Sequence, residues 1–270
     1  MANSDYNVVG SGQFCPVARL TMGMSPGTTV IGVSDVRMVE PGDVAVGSLI
    51  LIGDEIMQIQ SLGSPTWTVK RGCFDTIPAG QEPGQTIFVI DRFVGSNFVE
   101  YLATQTVSVK LLAKAVGGVV PMEYAPPNQV VFNQRFARPY PPANFKLNAQ
   151  SWYLGAAVDS DTPLELTWNE RNRVLQGDQA LGHTDATVTP EAGTTYELTL
   201  FTEALTQVAQ VSVPAGTSHT MTLAELRTVY GLVGVTTGTY NAVLDFASKR
   251  DGLTSLQKYR ASFTMDLATT

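Results

Sequence analysis

Histidine and cysteine are almost missing from this chain, with two of each among 270 residues. With only His183 and His219 available, general acid–base chemistry at neutral pH has few candidates. His183 stands in the run GHTD between turn-rich segments and His219 beside Ser218 near a strand start, so both read as surface-loop residues. The chain also lacks HExxH, GxSxG and a glycine-rich phosphate loop ending in Lys, the short motifs that would carry metalloprotease, serine-hydrolase or nucleotide chemistry. Cys15 and Cys73 are far apart and show no CxxC spacing. They read as unpaired packing residues of a reducing compartment, although spacing alone leaves a bridge open.

Positive charge is scarce as well. Charged residues make up 15% of the chain, the net charge is −7, and acid exceeds base on both sides of Tyr140. The longest basic runs are the pairs Lys70-Arg71 and Lys249-Arg250, too little to neutralise a phosphate backbone, so neither nucleic acid nor an anionic membrane is an expected partner. No uncharged apolar run approaches the ~20 residues of a membrane helix, and MANSDYN at the start lacks the basic region and apolar core of a secretory signal. No membrane insertion and no export are therefore expected.

Gly (24) and Pro (15) are plentiful, which favours many turns and few long helices; the expected fold class is all-β. From Ser48 the chain reads as an antiparallel meander: a strand at 49–52, a Gly53-Asp54 turn, and strands at 55–60, 67–71 and 86–90. The intervening loop from Gly72 to Gln85 holds Pro78, Gly80, Pro83 and Gly84. The stretch 98–115 reads as a further strand. Residues 1–47, broken by Pro16, Pro26 and Pro41, read either as strands of this domain or as an arm reaching a neighbour.

Pro139, Pro141 and Pro142, with Arg138 and Tyr140, form a stiff connection at 138–143. It separates an N-terminal antiparallel β domain (1–137) from a second domain (144–270). Beyond Asn144 the alternation is regular enough to assign inward faces: Phe145 and Leu147; Leu164, Leu166 and Trp168; Tyr196, Leu198 and Leu200; Val211 and Val213; Tyr240, Ala242, Leu244 and Phe246; Tyr259, Ala261, Phe263 and Met265. Period two over so many segments predicts a β-sandwich. Thr222 followed by Glu225 is a capping-box pattern and Gly231 a stop, predicting one short helix.

Three runs concentrate turn-fixing residues: RGCFDTIP at 71–78, RPYPP at 138–142 and WNERNR at 168–173. In the first, Gly72 permits a φ other residues avoid, Asp75 can accept backbone N–H groups and Pro78 stiffens the exit. Arg71, Arg171 and Arg173 can each fork onto carboxylates or carbonyls, as local pairs more readily than as contacts between subunits. Trp168 is a core residue. Asp54-Glu55 spans a turn and a strand start, poor geometry for a glycosidase pair. Asp159-Ser160-Asp161 lacks the remaining oxygens of a calcium loop. No catalytic residue, cofactor or metal is assigned.

The second half resembles the fibronectin type III sandwich, with Trp168 in an early strand, Tyr240 opening the penultimate one and KRDGLTS at 249–255 before the last. Together with IGDEIM at 52–57, RGCFDTIP, TVSVKLL at 106–112, RPYPP and WNERNR, the region 48–270 resembles tail-tip proteins of the baseplate hub region in long-tailed bacteriophages and gene transfer agents. The resemblance implies a non-enzymatic virion part, made in the host cytoplasm, contacting other tail-tip proteins and assembling as a trimer or a multiple of three. A second reading is an adhesin that binds a host-surface glycan through exposed aromatics such as Trp152 and Tyr153; a wall hydrolase ranks last.

Overall fold

The computed structural model describes Tyr6 and residues 15–38, 40–90 and 100–268. The strands before residue 90 close on themselves. They are β1 (Val17–Leu20), β2 (Val30–Arg37), β3 (Leu49–Ile52), β4 (Glu55–Leu62), β5 (Thr66–Lys70) and β6 (Thr86–Val89), ordered β1-β2-β5-β4-β3-β6 with β6 pairing back to β1. The predicted meander is correct for β3 to β5, but the sheet is a closed barrel: β1 and β2, from the segment read as strands or an arm, complete it. The remaining expectations on residues 1–5, 7–14 and 91–99 lie outside the described residues. Alternation fills the barrel, because every second residue points in: Leu20, Ile31, Ile50, Ile52, Met57, Ile59, Val69, Ile87 and Val89 are buried. Closure pairs the strand edges that an open sheet would expose.

The chain then forms a small separate unit from residue 95 to Ala137, grouped with the first eleven residues. It contains β7 (Thr106–Val109), the two-residue strands β8 (Lys114–Ala115) and β9 (Gly118–Val119), and β10 (Asn128–Val131). β7 pairs with β10 and β8 with β9, each as a two-stranded sheet. Tyr101 stacks on Phe132 at 4.3 Å, and the Tyr6 hydroxyl bonds Ser108 Oγ at 2.8 Å.

The second, larger unit joins residues 12–94 to 138–270. One boundary thus falls between Ala137 and Arg138, at the start of the expected proline connection, while the barrel belongs with the sandwich that follows. The sandwich strands are β11 (Ala143–Leu147), β12 (Gln150–Ser151), β13 (Ala156–Val158), β14 (Leu164–Asn169), β15 (Thr195–Thr202), β16 (Gln207–Val213), β17 (Ser218–Met221), β18 (Thr239–Arg250), β19 (Leu253–Thr254) and β20 (Tyr259–Asp266).

One sheet runs β12-β11-β14-β17 and the other β13-β20-β18-β15-β16, with β19 beside β18. Three strands, β11, β14 and β17, facing four, β16, β15, β18 and β20, make a fibronectin type III-like sandwich. Among the described residues the chain is all-β but for α1 (Leu223–Val229) and three single 3-10 turns. The helix starts at a complete capping box of Thr222 and Glu225, and Gly231 follows at φ +68°. Inside, Trp168 packs against Tyr196 and Phe246 with ring centroids 4.8 and 4.7 Å apart, and Phe145 stacks on Phe246 at 4.7 Å.

Candidate functional site: the junction of barrel and sandwich

Strand parity places a carboxylate where the barrel needs it. Glu55 opens β4 on the same face as Met57 and Ile59, so its side chain points inward and is buried. Arg71, one residue past β5, meets it with both ends of its fork: Nε to Oε1 and Nη2 to Oε2, each at 2.7 Å. The remaining Arg71 donors reach Ser25 O and Thr28 O through Nη1, at 2.9 and 2.6 Å, and Ala79 O through Nη2 at 2.7 Å. Glu55 also accepts from Gly72 N and Ala79 N, both at 2.9 Å. All five N–H groups of the guanidinium and four acceptor sites of the carboxylate are used. That saturation offsets the desolvation of two buried ions; removing either partner strands the other, at a cost of about 3–5 kcal/mol.

This pair also sets the shape of the 72–79 loop, because one carboxylate holds the loop's first and last backbone amides, Gly72 N and Ala79 N. Gly72 sits at φ +57°, and a Cβ there would lie 2.7 Å from Pro78 Cδ, so the loop's entry and exit touch. Thr76 Oγ1 accepts from Ile56 N at 3.1 Å and donates to Cys73 O at 2.8 Å. Asp75 is buried within the loop. Cys73 is sealed beneath it, and burial pushes its thiol up to about 12, leaving no thiolate at neutral pH.

The outer surface of this corner is where the sandwich docks. Arg171 donates to the carbonyls of Glu170, Gly182, Asp185 and Ala186, so the 182–186 loop is wound around one guanidinium. The loop then meets the barrel. His183 N donates to Arg71 O at 2.7 Å, Lys70 Nζ pairs with Asp185 at 2.9 Å, and a Cβ on Gly182 would overlap the Lys70 side chain. A second clasp comes from Gln257, which accepts from Ile77 N and donates to Asp54 O, both at 2.7 Å. Ile77 packs against the sandwich core, and a Cβ on Gly27 would overlap the Tyr153 hydroxyl.

His183 is therefore a junction residue and not the expected surface-loop residue. Its Nδ1 accepts from Asn144 N at 3.1 Å and lies 3.1 Å from the Tyr259 hydroxyl, while its ring meets Trp152 edge-on at 4.9 Å. Burial first, then the cations Arg171, Arg71 and Lys146, lower its pKa to about 4, so the ring is neutral at pH 7. Trp152, expected to be exposed, is buried in the sandwich core beside Tyr259, whereas Tyr153 is exposed as expected, with its hydroxyl beside Gly27. A glycan contact through an exposed Trp152 does not exist in this fold.

The other residues singled out by sequence lie around the same unit without gathering at one point. Arg138 donates to Thr254 O at 2.7 Å, and Pro139, Pro141 and Pro142 are buried. The clasps between barrel and sandwich therefore act in addition to the fixed φ of those prolines. Arg173 pairs with Glu191 at 3.2 Å, and Arg250 pairs with the same carboxylate. Tyr240 is half-buried with its ring 5.3 Å from Tyr230. Asp159 accepts from Asp161 N and Thr162 N, and these two bonds hold its carboxyl below the usual range; it caps its own turn. Among the described residues no three His, Cys, Asp or Glu side chains group as a metal site would require.

No family model matches the sequence, and neither does any curated protein. Among solved structures the chain is similar to the FN1–FN3 domains of chicken CNTN1, at 10% identity over 94% of this chain and 68% of that one, with a TM-score of 0.29. It is also similar to the BSP domain of a biofilm-associated protein, at 15% identity over 95% of this chain and 30% of that one, with a TM-score of 0.22. Scores this low carry nothing about activity or partners, and the fold rests on the strand order itself.

Proposed function

We propose that this chain is a non-enzymatic structural component of the tail tip or baseplate of a long-tailed bacteriophage or gene transfer agent. It works through contacts with neighbouring tail-tip proteins and with further copies of itself, and it travels in the virion tail after synthesis in the host cytoplasm. The observation that carries the reading is the use of the RGCFDTIP motif. Glu55 fixes its arginine and glycine within the barrel, and the backbone carbonyl of that arginine then accepts from His183 N, with Gly182 packed against Lys70, so the motif's corner is joined to the sandwich. Side chains spent in this way serve rigidity, which a part under load in an assembly needs. The decisive experiment is cryo-EM of intact particles with an antibody to this chain, expected to label the tail tip. Particles that lack the polypeptide, or peptidoglycan cleavage by the purified protein that disappears in His183→Ala, would overturn the proposal.

A further inference from the structure

One residue touches both blocks with different atoms. The main-chain N of His183 donates to Arg71 O at the barrel corner, and a Cβ on Gly72 would lie 3.2 Å from the His183 Cβ. Its ring is seated in the sandwich, between Asn144 N, the Tyr259 hydroxyl and Trp152. Gly182 and Asp185, in the same loop, reach the barrel at Lys70. Each block nevertheless has a hydrophobic core of its own, with Leu20, Ile52 and Met57 in one and Phe145, Leu166 and Phe246 in the other. Loss of the contacts between them leaves both cores intact.

The seat fits a neutral ring only. Nδ1 accepts from the main-chain N–H of Asn144, a donor with no lone pair to offer in return. A proton on Nδ1 sets two donors face to face and places a charge in a buried site. The cations Arg171, at the end of β14, Arg71, from the barrel, and Lys146, on β11, oppose that charge. The carboxylates of the junction are engaged elsewhere, Glu55 with Arg71 and Asp185 with Lys70. The Tyr259 hydroxyl and the Cys73 thiol keep their protons, because burial raises both. We propose that His183 makes the junction an acid-operated latch: on protonation its ring leaves the sandwich, the 182–186 loop lets go of Arg71 and Lys70, and barrel and sandwich part while each stays folded. Such a latch works wherever the chain is carried, so it does not rest on the tail-tip reading.

The ring titrates at about 4 when closed and at the ordinary 6.5 when open. The open form therefore gains the proton first as pH falls below 6.5, and opening becomes about 20-fold more frequent at pH 5 than at pH 7. Amide hydrogen exchange of the full chain, corrected for its intrinsic pH dependence, reads this at the amides of His183 and Ile77, both of which bond across the junction. Their protection should fall about 20-fold over that range and stay below that of core amides such as Ile50 and Leu198 at every pH. In His183→Gln the fall at Ile77 should vanish, and in Asp185→Asn it should persist. Constant protection in the wild type overturns the proposal, as does an equal fall in His183→Gln or a fall abolished by Asp185→Asn. Junction and core amides equally protected at every pH would make the loss global unfolding and also overturn it. Should His183→Gln not fold, the imidazole resonances of the wild type decide: a ring that titrates at 6.5 with the junction amides unchanged sinks the latch.

Discussion

The junction of barrel and sandwich and the unit from 100 to 137 satisfy their residues in opposite ways. At the junction every donor of Arg71 has an acceptor within the chain, and the neighbouring glycines are places where a Cβ would collide. In the small unit the apolar side chains face outward and the sheets are only two strands deep. The first region satisfies its polar groups within the chain; the second leaves apolar side chains exposed. Stability should therefore be concentrated in one and nearly indifferent to changes in the other.

The sharpest way to break this contrast is Glu55→Ala, which leaves the guanidinium of Arg71 buried without its counter-charge. Loss of about 3–5 kcal/mol in a denaturant titration is expected; a loss below about 1 kcal/mol would mean that the pair is not what holds the loop.

Acid probes the same region through His183. Its folded pKa, about 4, lies below the ordinary 6.5, so the unfolded chain binds the extra proton between those values. Stability from this group is full above pH 6.5, falls as pH drops toward 4, and levels off below it, an effect of about 3 kcal/mol at most. The pH slope of stability in this window should shrink in His183→Gln. An unchanged slope would transfer the effect to other groups.

Gly72→Ala should cost about 1–3 kcal/mol, because the residue needs φ +57° and the new methyl meets Pro78. Thermal unfolding reads this directly. The smallest effect belongs to the other side of the comparison: Leu111→Ser, at concentrations where the chain is monomeric, should change stability by no more than about 0.5 kcal/mol. A larger loss would show that the small unit carries a core of its own.

What could be read from sequence was whatever depends on near neighbours. The inward faces of β14, β15, β18 and β20 follow from parity, so Leu166, Trp168, Leu198, Leu244 and Phe263 were all legible and all are buried. The Thr222–Glu225 box was legible for the same reason. Pairings across long stretches of chain were not: Lys70 with Asp185, Ile77 with Gln257, and the closure of the barrel by β1 and β2. Glu55 had a usable signal, since it shares parity with Met57 and Ile59 and so had to be buried and paired. His183 had none, because a loop's exposure is decided by what docks on it.

Cys73 has a practical consequence. Its sulfur is fully covered by the corner that the sandwich holds down, and its nearest acceptors are Lys70 O and Ala180 O, one from each block. Alkylating reagents can reach it only while the two blocks stand apart. Its labelling rate, read against the partly accessible Cys15, is thus a built-in clock for how often the molecule comes undone at its waist.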